Sequence, residues 1–314
     1  MSLNVARPDA TGTAKTGRRV LLQVIGLQRS GNHAIIGWLS SLFERPVHLN
    51  DLPHDFFCRT ENVTENPAFA KAGCCILSFE DTRRPGAGPL LNVGNLDSSR
   101  LSEFDCHVVY LLRDPYNLWA SRVKAKEAGK LTCSARLEPF MREWTDLARL
   151  CVAQPDAFIL YNSWFGSQAY RRQVCARLGG RYSERTLGEV TGAGGGSSFD
   201  GASRPSIRTI LGNLGYYRSA AFRRRLFRQP GSYLARLFLR SVDGRQLQVD
   251  RRWQYLAGRE EAQALFANAE VQALSREIFG FHVDAAGQRV VAPADAGVRL
   301  AGARPVPAER AVRP

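Results

Sequence analysis

The sequence predicts an α/β fold, a three-layer sandwich with a central parallel sheet, from two features. A short apolar run, Val20 to Ile25, is cut off by Gly26, and similar runs recur at Cys74 to Phe79, His107 to Leu112 and Ala157 to Tyr161. Helical patterns follow the first, third and fourth of these runs, and strands separated by helices imply βαβ units. Ligands of such sheets bind beyond the carboxyl ends of the strands, so residues just after Ile25, Phe79, Leu112 and Leu160 are expected to share one rim.

The elements follow in order. Val20 to Ile25 has the uninterrupted apolar character of a strand buried on both faces. After a loop, Ile35, Trp38, Leu39 and Leu42 recur at i, i+3, i+4 and i+7, which places them on one face of a helix packed against the sheet. Further helices are predicted at 115–128, 164–178 and 259–279. Residues 191–205 are rich in Gly and Ser and read as a flexible loop, followed by a basic segment at 216–240. Residues 1–18 and 284–314 lack periodicity and read as a disordered lead and a disordered tail, leaving 19–283 as the folded domain.

Composition narrows the partners. The chain of 314 residues carries 43 basic and 29 acidic side chains, a formal charge of +14, which favours polyanionic ligands without choosing among them. All but five of the basic residues are arginines. The seven cysteines are odd in number, scattered and without paired spacing or a companion His cluster, so no metal site is expected. Cys74, Cys75, Cys106, Cys151 and Cys175 lie in apolar stretches and read as reduced, buried thiols. With no apolar leader and no run of 18 apolar residues, the expected setting is cytoplasmic, without a transmembrane segment.

Two segments carry chemistry. Gly26-Leu27-Gln28-Arg29-Ser30-Gly31-Asn32-His33 joins the first strand to its helix, where first-turn N–H groups and the helix dipole attract an anion. Gly31 permits close backbone approach, Ser30, Asn32 and His33 add donors, and Arg29 adds a cation. In the second, Leu112-Arg113-Asp114-Pro115, Asp114 is a natural N-cap and Pro115 a natural first helical residue, which leaves Arg113 at the strand tip. Ser121, seven residues after Asp114, returns to the same helical face about two turns on.

Together these segments resemble the PAPS-dependent sulfotransferase family. Ser30-Gly31 matches the family's Ser-Gly, and Arg113 and Ser121 keep the family's eight-residue Arg…Ser separation. Arg29 stands where lysine is frequent, and Asn32 and His33 stand where Thr or Ser is usual. Leu160-Tyr161-Asn162-Ser163-Trp164 resembles a strand-end segment of the family without its acids, and Gly194 to Ser198 resembles its cofactor-covering loop. The resemblance implies a P-loop NTPase-like sheet that takes PAPS (3′-phosphoadenosine 5′-phosphosulfate) as sulfo donor and releases PAP (3′-phosphoadenosine 5′-phosphate). It implies donor binding by Arg29, Ser30, Gly31, Asn32, His33, Arg113, Ser121, Tyr161, Ser197 and Ser198, with Tyr161 against the adenine and no metal.

The acceptor hydroxyl or amine needs a base. Glu80, just past the second run, is favoured, with His33 and His54 as alternatives; Arg29 and His33 are also expected to steady the transferring group. The acceptor is expected to be a saccharide, an anionic one included, or a glycolipid, or else a small secondary metabolite. Two other readings compete. A P-loop phosphotransferase using ATP lacks its Lys-Ser/Thr pair here. A basic nucleic-acid-binding module would draw on Arg223, Arg224, Arg225 and Arg228 near Tyr216, Tyr217 and Phe222, but such runs are more often solvated faces, so nucleic acid is not the expected partner.

Overall fold

A computed structural model describes residues 19–50, 52, 67–81, 101, 103–127, 136–187 and 249–292. Strands β1 (Arg19–Gly26), β2 (Pro46–Leu49), β3 (Cys74–Glu80), β4 (Phe104–Leu112) and β5 (Phe158–Leu160) form one sheet in the order β2-β3-β1-β4-β5. All neighbouring pairs are parallel. The register sets Gly26 level with Glu80 on one side and with Leu111 on the other, while Leu112 lies level with Leu160. The chain lays β2 and β3 on one side of β1 and β4 and β5 on the other, so the strand order reverses around β1, where α/β sheets hold their ligands.

The layers follow from alternation along the buried strands. Leu22 and Val24 of β1 pack with Cys74 and Ile76 of β3 against Ile35, Trp38 and Leu39 of α1 (Asn32–Ser41). Leu21 and Ile25 face the other way, with Cys75, Leu77 and Phe79. That face is covered by α3 (Pro115–Glu127), α4 (Leu137–Ala153), α7 (Glu260–Ala267) and α8 (Ala269–Phe279). The short helices α2 (Pro67–Ala70) and α5 (Tyr161–Gly166), and α6 (Gln168–Arg177), complete the helical set among the described residues, with 3₁₀ turns at Pro155–Ala157 and Arg252–Leu256. A sheet with helices on both faces is the three-layer α/β arrangement read from the sequence.

Several boundaries differ from the sequence reading for local reasons. The helix expected at 164–178 is two, because Ser167 is extended and its hydroxyl caps Tyr170 N–H. The helix expected at 259–279 is likewise broken at Asn268, whose side chain caps Val271 N–H. The tail predicted from residue 284 begins too early. Phe281–Val283 (β6) and Arg289–Val291 (β7) form an antiparallel hairpin turned at Gly287, and Phe281 and Val283 are buried in the core. Residues 1–18 and 293–314, the Gly/Ser-rich loop and the basic segment at 216–240 lie outside the described residues.

Among the cysteines, Cys74, Cys75, Cys151 and Cys175 are free and buried, whereas Cys106, expected to be buried, is exposed on β4. Burial pushes the thiols of Cys74 and Cys151 up to about 12 and that of Cys75 to about 11, so these three are packing residues rather than nucleophiles.

Strand β2 and helix α4 were not anticipated. β2 is only four residues, half-buried, and opens with Pro46, which suits a sheet edge. α4 carries Phe140, Trp144, Leu147, Ala148 and Cys151 on one buried face, and the Trp144 indole donates to the Arg113 carbonyl at 2.9 Å. Because Trp144 is fully buried and holds the tip of β4, Trp144→Ala is expected to cost about 3–5 kcal/mol of stability in urea denaturation. A loss below roughly 1 kcal/mol would show that α4 can collapse around the vacancy.

Candidate functional site

The loop between β1 and α1 has two residues in the left-handed region, Arg29 at φ 75° and Gly31 at φ 91°. Gly31 is the N-cap of α1, and a Cβ at this position would collide with the ring of Tyr161. Glycine is therefore required twice here, by conformation and by space. Ser30 is fully buried, its N–H donates to Leu27 O at 3.1 Å, and its hydroxyl has no protein partner. Past the cap, the N–H groups of Ala34 and Ile35 donate to Gly31 O, and those of Asn32 and His33 come before the first intrahelical bond, an arrangement that can accept an anion.

The tip of β4 reaches the same loop. Arg113, only 2% exposed, donates from Nη1 to the carbonyl of Arg29 at 3.3 Å and from Nη2 to the carbonyl of Val249 at 3.1 Å. Its guanidinium lies 4.8 Å from the centre of the Tyr161 ring, and its Nε has no partner. The loop at 29–33 and the β4 tip thus form one site. Burial, then the like charge of Arg113, lowers the pKa of Arg29 from the usual arginine value, and Glu80 opposes this. Two guanidinium groups held within each other's field favour an anion between or beside them.

Asp114 caps α3 as expected, accepting from Asn117 N–H at 2.8 Å, and it also accepts from Asn162 Nδ2 at 2.9 Å. Asn162 thereby ties the β5 tip to the β4 tip. The segment after Val249 is fastened across α3: Asn117 Nδ2 donates to Asp250 O at 3.2 Å and Asn117 Oδ1 accepts from Trp253 N–H at 3.0 Å. Ser121 is buried on α3, one residue before Arg122, whose Nε donates to Gln28 O at 3.1 Å and whose Nη2 pairs with Asp81. This part of α3 therefore lies against the loop between β1 and α1.

Glu80, at the end of β3, is largely buried and accepts from Asn32 Nδ2 at 2.9 Å, with His33 Nδ1 3.8 Å away. The structure thus gathers Arg29, Ser30, Gly31, Asn32, His33, Glu80, Arg113 and Tyr161 at one rim. Tyr161 has Gly31 against its edge, Arg113 over its ring and Phe165 stacked at 6.0 Å, and so walls the loop. Ser197, Ser198 and His54 lie outside the described residues. Among the described residues no group of three or more His, Cys, Asp or Glu could hold a metal ion, and no helix is long and apolar enough to cross a membrane.

Sequence reasoning missed the parts of Arg122, Asp81, Asn162 and His48. His48, on the β2 edge, contacts Ser78 Oγ at 3.0 Å. Burial first, and the nearby His33 second, depress its pKa to about 4. A histidine held neutral in the fold is protonated more readily once unfolded. His48 therefore leaves stability unchanged above its unfolded pKa of about 6.5 and lowers it progressively as pH falls from there to about 4. Denaturant titrations between those values should show stability rising with pH, and His48→Asn should flatten the slope; an equal slope in the variant would assign it to other groups.

No family model matches the chain, and no curated protein matches it. Among solved structures it is similar to the Sulfotransferase Domain from the Synechococcus PCC 7002 Olefin Synthase, at 13% identity and a TM-score of 0.33, over 58% of this chain and 82% of that one. So distant a likeness leaves the functional reading to the site itself.

Proposed function

We propose that the chain transfers the sulfo group of PAPS to a hydroxyl or amine of an acceptor, a saccharide or glycolipid or else a small secondary metabolite. The observation that carries this reading is the bond from buried Arg113 to the carbonyl of Arg29, which makes the strand-tip arginine and the helix-end loop one anion cradle. The residues present fit such a donor. Ser30 Oγ and Arg113 Nε are buried polar atoms without protein partners, the kind of vacancy an anionic ligand fills. Gly31 takes the left-handed N-cap conformation from which α1 starts, with Tyr161 packed where a side chain would stand.

Bound PAPS would supply an activated sulfo group. Arg29 and the first-turn N–H groups of α1 are assigned to its 5′ end, where fixed positive charge lowers the barrier as negative charge gathers on the leaving phosphate. Arg113 and Ser121, with the Ser197-Ser198 loop, are assigned to the rest of the nucleotide. Tyr161 is assigned to holding Gly31 and Arg113 in place. Glu80 is assigned as the base that takes the acceptor proton, and Asn32 orients its carboxylate through the 2.9 Å bond to Oε1. His33 stands beside both groups and is assigned to the transferring sulfo oxygens.

Two measurements test the assignment. In calorimetry, PAP should bind well more tightly than ADP with magnesium, and the reverse order would favour an ATP-dependent phosphotransferase. Glu80→Gln keeps an oxygen to accept from Asn32 but removes the basicity. It should lower turnover of labelled PAPS, in a screen of candidate acceptors, by about 10²–10⁴-fold while leaving PAP affinity nearly unchanged. Full activity in this variant would remove Glu80 as the base.

A further inference from the structure

Arg122 is 1% exposed, and the resemblance that singled out Ser121 gives it no part. Its guanidinium lies 5.2 Å from the centre of the Phe140 ring, pairs through Nη2 with Asp81 Oδ1, and donates from Nε to the carbonyl of Gln28 at 3.1 Å. The same Asp81 Oδ1 accepts from Gln28 N–H at 2.9 Å. The ion pair therefore grips Gln28 at both ends of its backbone. Asp81 is held for this by its own N–H, which donates to Gly26 O at 3.1 Å, and by a left-handed φ of 50°.

The peptide bond gripped by Arg122 joins Gln28 to Arg29, the non-glycine residue at φ 75°. In a trans peptide the C=O and N–H point in opposite directions. Fixing the Gln28 carbonyl toward α3 therefore turns the Arg29 N–H away from α3. The next carbonyl, that of Arg29, is held by Arg113, and the next N–H, that of Ser30, is bonded to Leu27 O. Two buried arginines thus hold two consecutive carbonyls of this loop, while the Ser30 N–H turns back to Leu27 O.

We propose that Arg122 and Asp81 form a positioning pair that sets the peptide plane between Gln28 and Arg29, and with it the donor-binding shape of the loop. The proposal rests on the sulfo-donor reading above. Neither residue needs to touch the nucleotide. The pair joins the end of β3 to the helix that carries Ser121.

The test uses the full chain with PAP as the probe. Arg122→Lys keeps a cation beside Asp81 but lacks the fork that reaches Gln28 O at the same time. It should weaken PAP binding about tenfold, the weight of one lost hydrogen bond to a charged donor, with the acceptor KM unchanged. Asp81→Asn, which can still accept from Gln28 N–H, should weaken PAP binding less than Asp81→Ala. If PAP affinity is unchanged in Arg122→Lys and only the melting temperature falls, the pair is merely structural and the proposal fails. Should the variants not fold, the wild-type protein serves: titration with PAP should shift the backbone amide resonances of Arg29 and Gly31, and unshifted amides with PAP bound would overturn the proposal. Absence of PAP binding to the wild type would instead take down the donor reading, and the positioning role with it.

Discussion

The site depends on one constraint: a guanidinium taken out of water must satisfy its donors inside the protein. Arg113 and Arg122 are both buried and come from the two ends of the same chain segment, the tip of β4 and the third turn of α3. With little solvent to turn to, they bond to the carbonyls of Arg29 and Gln28. Burial of two positive charges would be costly in isolation. Asp81 compensates Arg122 directly, and Tyr161 and Phe140 offer their ring faces to the two guanidinium groups. The loop is therefore shaped by what the arginines require as much as by its own turn residues.

That constraint explains why the sheet order matters. β1 lies between β3 and β4, and the register brings Gly26, Glu80 and Leu111 level. One residue beyond that level are Leu27, Asp81 and Leu112, and Arg113 follows the end of β4. A loop leaving the central strand can then be held from both flanks, by Glu80 and Asp81 at the end of β3 and by Arg113 after β4. An edge strand would offer only one flank.

Much of this was legible in the sequence, for a physical reason. Buried parallel strands are uninterrupted apolar runs, so β1, β3, β4 and β5 could be read off, and Gly31, Asp114 and Pro115 carry local conformational demands that need no tertiary knowledge. The meeting of Arg29 and Arg113 was readable because the carboxyl ends of such strands share a rim. What was not legible is pairing. Arg122 looks like one more helix arginine, and only the contact with Asp81, 41 residues earlier, distinguishes it. Sequence places Tyr161 at a strand tip without saying which way its ring packs, and here the ring packs against Gly31. Helix α4 did carry a readable stripe, Phe140, Trp144, Leu147, Cys151, whereas β2 is too short to show a period.

Arg29 itself shows how local and tertiary demands are reconciled. A left-handed backbone is easy for glycine and disfavours a residue with a side chain, at a cost on the order of 1–3 kcal/mol. Glycine in its place would relieve that strain but remove the cation. The arginine persists because the carbonyls on both sides of its Cα are held, that of Gln28 by Arg122 and its own by Arg113. A strained conformation over-determined by buried bonds from two directions is a preorganised one. The backbone from which the Arg29 side chain springs is thereby fixed from two directions.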